Sequence, residues 1–404
     1  MNRATARFVA PLAAASLGLL ALGGAGVASA STGHGGVPTY AIAYEGPLSG
    51  GNAQLGLNME YSVELAINQA NAGVTFGKLP FKLKFVSADD QGSATQSPAA
   101  AEDLINNKSV VAVVGPAFSG ATQAAEPLYH AASMPTVSPS ATEPSLADHG
   151  WNNFFRVVAD DDAQGPADAT YVVKKLGVKG IYTIDDASSY AVGLVTAFDN
   201  EAKRLGADVT HQEAPGTTQC QAGTGNVQQY GALSTEIKSS GDKVVFYAGY
   251  YCDFALLAKA LRADGYSGQL MSDDGSLDPH YISEAGASVS NGTLLSCACT
   301  SLSKSGPDAS FAAQFKKLAG FPVGTYSAEA YDATNTIISV MKKIGKNVKR
   351  SAIVKGLHKV VYVGLTKRVH FQPNGNIAGS TVYVYQVKAG TIVELGSVAS
   401  LVGK

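Results

Sequence analysis

The sequence predicts an α/β protein built as two doubly wound parallel-sheet lobes joined by a multi-strand hinge. Three observations carry this. The 374 residues that follow a leader-like start exceed what one hydrophobic core usually spans. Apolar strand-length runs alternate with helix-length amphipathic runs, and the alternation occurs twice in succession. Several of the strands run out into glycine, proline and small hydroxyl residues, as strands do where a sheet opens onto a ligand.

Residues 1–30 carry Arg3 and Arg7, an apolar stretch from Phe8 to Val27 and a small-x-small site at Ala28-Ser29-Ala30, the pattern of a secretory signal peptide. Pro11 and several glycines interrupt the stretch, which argues against a retained membrane anchor, and no cysteine near the cleavage point offers a lipid anchor. An exported, periplasmic or cell-surface protein is expected.

The first series then runs strand Tyr40–Tyr44, helix Leu57–Ala72, strand Phe81–Ala88, helix Gln96–Asn107, strand Val110–Val114, helix Gly120–Ala132 and strand Met134–Val137. In the first helix Met59, Val63, Ile67 and Ala70 recur at helical spacing. A second series follows Phe155–Val158. It comprises helix Asp162–Leu176, strand Gly180–Asp185, helix Ala191–Leu205, strand Asp208–Glu213, helix Val227–Ser239, strand Lys243–Tyr247, helix Phe254–Asp264 and strand Gln269–Met271. The last third is mixed. Ser296–Ser301 reads as a crossing strand, and helices are expected at Phe311–Lys317, Ala328–Lys343 and Ser351–Lys359. Val369–Gln372, a turn at 373–376, Thr381–Lys388 and Thr391–Val398 resemble a terminal meander. The expected partition is 39–160 with 298–365 in the first lobe, and 161–297 with 366–404 in the second.

Residues 110–144 hold the densest chemistry. Val110–Val114 breaks at Gly115-Pro116 and opens into Ser119 and Thr122; Met134–Val137 breaks at Ser138-Pro139 and opens into Ser140 and Thr142. Because ligands of open α/β sheets bind beyond the carboxyl ends of the strands, Ser119 and Thr142 are placed to meet a small anion such as a carboxylate.

Without the leader's two arginines there are 28 basic against 32 acidic residues, so nucleic acid is not an expected partner. The four cysteines of an exported chain favour disulfides over a metal site. Cys220 with Cys252 is the favoured pair, leaving Cys297 and Cys299 bonded to each other or free. Cys297-Ala298-Cys299 lacks the two-residue gap of common zinc knuckles, and no metal or other cofactor is expected. Asp89 and Asp90 read as organisers of a strand end. The run Asp160-Asp161-Asp162 lacks a continuing calcium-ligand pattern and reads as helix capping and a solvated face.

Taken in order, Gly46-Pro47-Leu48-Ser49-Gly50, Ala88-Asp89-Asp90, Val114-Gly115 through Thr122-Gln123, Ser138 to Thr142, Gln164-Gly165-Pro166, Phe246 to Tyr250 and Asp274-Gly275 form a familiar series. From about Thr39 to about Gln386 the chain resembles the extracytoplasmic solute-binding proteins of type I periplasmic-binding fold, in the leucine/isoleucine/valine-binding branch that feeds ABC importers. The resemblance implies that hydroxyls and backbone N–H groups at Ser119 and Thr142 hold the α-carboxylate of an amino acid. It implies that the backbone carbonyl of Ser140 and the side chain of Asp274 hold the α-ammonium, with Asp273 as the alternative acid, and that Tyr190 and Tyr250 close over the ligand. It further implies an ABC permease as the membrane partner, and a monomer is expected. Leu55, Phe118 and the short Asp274 depart from the family pattern, so general amino-acid recognition is better supported than a particular side chain.

Catalysis is not expected. Ser119 sits in Pro-Ala-Phe-Ser-Gly and not in the G-x-S-x-G elbow, and neither a phosphate loop nor a dinucleotide fingerprint occurs. The other reading is a ligand-sensing receptor component on the same fold, for another small carboxylate or amide.

Overall fold

The computed structural model describes residues 36–216, 227–299, 302–379 and 381–403; the expected leader, and the Cys220 half of the expected Cys220–Cys252 bond, lie outside them. The first sheet contains β1 (Thr39–Gly46), β2 (Lys82–Asp89), β3 (Val110–Val114), β4 (Thr136–Ser138) and β5 (Phe154–Arg156), all parallel, in the order β2-β1-β3-β4-β5. All five residues of β3 are buried, which is why it reads as an unbroken apolar run: a parallel strand is covered on both faces. The connecting helices are α1 (Ala53–Asn71), α2 (Ser97–Asn106) and α3 (Ser119–Ala131).

After α4 (Asp161–Thr170) the second sheet begins with β6 (Gly180–Asp185) and β7 (Asp208–Glu213), which flank α5 (Ser189–Arg204). It continues through α6 (Gly231–Ser240), β8 (Val244–Ala248), α7 (Tyr251–Ala263), β9 (Gln269–Ser272), α8 (Pro279–Ala285), α9 (Ala287–Ser290) and β10 (Leu294–Cys297). The chain then supplies α10 (Gly306–Ala319), α11 (Ser327–Ile344), α12 (Arg350–Leu357), the paired short strands β11 (Tyr362–Val363) and β12 (Arg368–Val369), the hairpin β13 (Tyr383–Lys388) and β14 (Thr391–Ser397), and α13 (Val398–Val402). The second sheet has the order β14-β13-β10-β9-β8-β6-β7, parallel except for β13 and β14. α11 packs against α1, so a late segment covers the first sheet's helical layer.

Both sheets contain a switch point. Strand β1 has β2 on one side and β3 on the other; β6 has β7 on one side and β8 on the other. Connections leave such strands in opposite directions, which opens a crevice at their carboxyl ends. The loops after β3 and β8 therefore flank the two crevices.

Two expectations at the end of the chain need correction. The crossing strand is Leu294–Cys297, two residues earlier than the expected Ser296–Ser301, and residues 300 and 301 lie outside the described set. A strand between β9 and β13 is buried on both faces, so the Leu294-Leu295 pair, not the small residues after it, is what the position selects. The expected meander also starts differently. Arg368–Val369 pairs with β11, and the turn that follows, closed by an antiparallel bridge between Phe371 and Ile377, docks on the edge of the first sheet, where the Arg156 N–H donates to the Gly375 carbonyl at 3.1 Å. Gly375 has φ +86, and a Cβ there would stand 2.1 Å from the Phe154 oxygen, so only glycine lets the turn approach β5 this closely. Cys297 and Cys299 meet at the end of β10 with their sulfurs 2.02 Å apart. Among the described residues no helix is long and apolar enough to cross a membrane.

Candidate functional site

The two loops that follow β3 and β4 are stitched together by hydroxyls. Ser138 Oγ donates to the Pro116 carbonyl at 2.7 Å, Ser140 Oγ donates to the Ala117 carbonyl at 2.6 Å, and Ser119 Oγ accepts from the Glu143 N–H at 3.2 Å. The Ser140 hydroxyl is thus spent within the protein. α3 starts at Ser119, and the first-turn N–H groups of a helix have no intrahelical acceptor, so they favour an anion. The residue in the capping position is Phe118, which has no side-chain oxygen to satisfy them. Asp89 holds the preceding loop by accepting from the Leu48 and Ser49 N–H groups at 2.9 and 3.3 Å and from the Ser49 hydroxyl at 2.6 Å.

The facing wall comes from the loops after β8 and β9. Tyr250 occupies the capping position of α7, and Asp274 follows β9. Asp274 is 3 % exposed; its Oδ1 accepts from Tyr190 Oη and Gln164 Nε2, each at 2.8 Å, and its Oδ2 accepts from Tyr326 Oη at 2.6 Å. Burial raises the pKa of this carboxyl, and the three donors pull it back toward the charged form. Asp273 is also buried; its Oδ2 accepts from the Gly249 N–H at 3.0 Å, and burial with the neighbouring Asp274 charge pushes its pKa well up.

These walls enclose a small cavity between them. Of the six residues singled out from sequence, Ser119, Ser140, Tyr190, Tyr250 and Asp274 line it. Thr142 does not: it is fully buried behind the lining, and its carbonyl accepts the Asp161 N–H at 3.0 Å. Leu55, Met59, Phe118, Gly275 and Tyr326 complete the lining. No lysine, arginine or histidine is among these lining residues, so the cavity has hydroxyls and a helix start at one pole, a carboxylate at the other and apolar surface between. Among the described residues no group of three or more metal-ligating side chains is arranged to hold a metal ion.

The solvated face expected for Asp160 to Asp162 holds only in part. Asp162 is exposed, but Asp161 is fully buried at the start of α4; burial, then the Asp274 charge, raises its pKa well above the usual range, against the pull of the Thr142 hydroxyl. Closure of the two layers on each other buries it, and a run of three acids gives no local sign of that. Tyr326 is a second residue that sequence reasoning missed. It precedes α11 with a left-handed backbone, φ +65, a strained conformation for a residue other than glycine and one often found at functional sites.

The walls touch. Phe118 stacks on Tyr250 with centroids 4.3 Å apart and planes 19° from parallel; Ser189 Oγ donates to Gln123 Oε1 at 3.1 Å; Tyr251 Oη donates to the Gly51 carbonyl at 2.7 Å. The cleft is therefore shut in this structure.

Comparison with known proteins agrees with this architecture. The chain is similar to an amino acid binding protein of Pseudomonas aeruginosa, 28% identical over 319 residues, which cover 77% of this chain and 82% of that protein. It is similar to Leu/Ile/Val-binding protein homolog 3 of Brucella melitensis, 26% identical over 351 residues, covering 86% and 91%. In three dimensions it shares the fold of the branched-chain amino acid transporter substrate binding protein LivJ of Streptococcus pneumoniae, solved with isoleucine, at a TM-score of 0.77 and 23% identity over 89% of this chain and 99% of that one. The family model described as periplasmic binding protein matches residues 39–391, and on that match the chain belongs to the periplasmic binding protein family.

Proposed function

We propose that this chain is a non-catalytic receptor of the extracytoplasmic space that captures a small zwitterionic amino acid, of the branched-chain type, shuts over it by hinge motion and delivers it to an ABC importer. The observation that carries the reading is one closed cavity in which the uncapped start of α3 at Ser119 faces the Asp274 carboxylate with no basic side chain in the lining. A carboxylate is matched by the first pole and an ammonium by the second, and inside a shut cleft of low dielectric both pairings strengthen. Ser119 and the first-turn N–H groups of α3 are assigned to the carboxylate, with Thr142 behind them, the Ser140 carbonyl and Asp274 to the ammonium, and Tyr190 and Tyr250 to the closing wall. In this reading residues 39–160 and 298–365 form one lobe, and 161–297 and 366–404 the other. The names of the relatives support the ligand class, since the Brucella melitensis protein is named for leucine, isoleucine and valine and the Streptococcus pneumoniae protein is solved with isoleucine.

The reading is tested by calorimetry across the amino acids and small carboxylates. Binding of aliphatic amino acids is expected, and silence from every zwitterion would sink it. Asp274→Ala should abolish that binding by leaving the ammonium unpaired; unchanged affinity would move the role to Asp273 or elsewhere.

A further inference from the structure

The helices that begin at the cavity share an unusual start. Serine, threonine, aspartate and asparagine are the favoured capping residues because their side chains satisfy first-turn N–H groups. In α3, α7 and α11 that position is held instead by Phe118, Tyr250 and Tyr326, none of which makes a side-chain cap bond, and all three rings line the cavity. Two of them, Phe118 from the first wall and Tyr250 from the second, stack on each other. The Phe118 ring is held on another side as well. Gly92 lies against it so closely that a Cβ there would meet Phe118 Cδ2 at 2.7 Å and Cε2 at 2.8 Å, and Gly92 has the left-handed φ of +67. The ring is thus confined by the Gly92 backbone and the Tyr250 face, directly beside Ser119.

We propose that Phe118 is a specificity-determining residue: confined by Gly92 and stacked on Tyr250, it limits the ligand to a compact aliphatic side chain and excludes bulky aromatic ones. The inference rests on the amino-acid reading above and deepens it. A ligand whose α-carbon is fixed between Ser119 and Asp274 must place its side chain against Leu55, Met59, Phe118 and Tyr250, which line the shut cavity. A larger side chain fits only if the stack opens, and the stack is part of the closed cleft.

The test compares dissociation constants for alanine, valine, leucine and phenylalanine, with acetate and benzoate in the same panel, in the wild type, Phe118→Ala and Phe118→Leu. The readout is the ratio of large to small ligand, which a uniform loss through poorer closure leaves unmoved. The wild type should favour valine over phenylalanine. In Phe118→Ala the discrimination should fall by about tenfold or more, since a methylene of misfit in a hydrophobic pocket is worth about 10–200-fold. Phe118→Leu, which keeps most of the bulk and guards against a misfolded alanine variant, should lie between. An unchanged ratio in both variants overturns the inference and leaves the amino-acid reading standing. A wild type that binds acetate or benzoate but no amino acid sinks the amino-acid reading, and benzoate bound as tightly as acetate then overturns the size limit too.

Discussion

At the scale of the residue, Asp274 shows how the site keeps a charge where burial opposes it. Three donors from separate elements converge on one carboxylate, and the Tyr326 bond comes from a residue held in left-handed backbone. Tyr326→Phe should weaken amino-acid binding by about 1.5–3 kcal/mol, the usual worth of a hydrogen bond to a charged group. Calorimetry on the folded variant checks this, and the loss should grow as pH falls, because Asp274 without that donor protonates more readily. A second buried acid pair makes a stability prediction. Burial, then the neighbouring Asp90, raises the Glu45 carboxyl to about 8, and burial raises Asp90 to about 7. Both hold their protons more tightly folded than unfolded, so their contribution is full below the ordinary carboxylate range and is lost as pH rises through about 7 and 8. The Tm should therefore fall across that interval, and Glu45→Gln should flatten the fall. Neither Tyr326 nor the burial of Asp161 was legible in the sequence: both depend on which distant layer closes over them.

The element scale is where the sequence was most readable. Val110–Val114, Gly180–Asp185 and Asp208–Glu213 are observed with the bounds expected, because an apolar run or an alternating one between turn residues leaves few alternatives. Ser119 and Ser140 were legible as lining residues for a related reason, since ligands of open α/β sheets bind beyond the carboxyl ends of the strands and both follow such ends. Where neighbours decide, local pattern failed: β10 slid toward its paired leucines, and the turn bridged by Phe371 and Ile377, expected to lead a terminal meander, docks on β5. That docking depends on Gly375, so Gly375→Ala should destabilise the protein by at least about 1–3 kcal/mol, the range for one strained backbone position, before the clash with Phe154 is added. Denaturant unfolding would show it as a lower midpoint at unchanged slope.

At the scale of the molecule, two sheets joined by three passages of the chain can rock about a shared hinge, and ligand binding shifts the balance toward the shut form only by its preference for that form. The Tyr251 bond to Gly51 spans the cleft without lining the cavity. Tyr251→Phe should therefore raise every amino-acid dissociation constant by a few-fold, matching the roughly 0.5–1.5 kcal/mol of one hydrogen bond, while the rank order of ligands stays the same; a changed order would place Tyr251 in recognition. The late segments that cover the first sheet have a further consequence, in the order of folding. α1 waits for α11, near the other end of the chain, and the edge at Arg156 waits for Gly375. Such distant pairings are slow to form, so a chain emerging amino end first holds all five contiguous strands of its first sheet long before the elements that cover them are made. The second sheet waits on the same carboxyl end, which supplies β13 and β14.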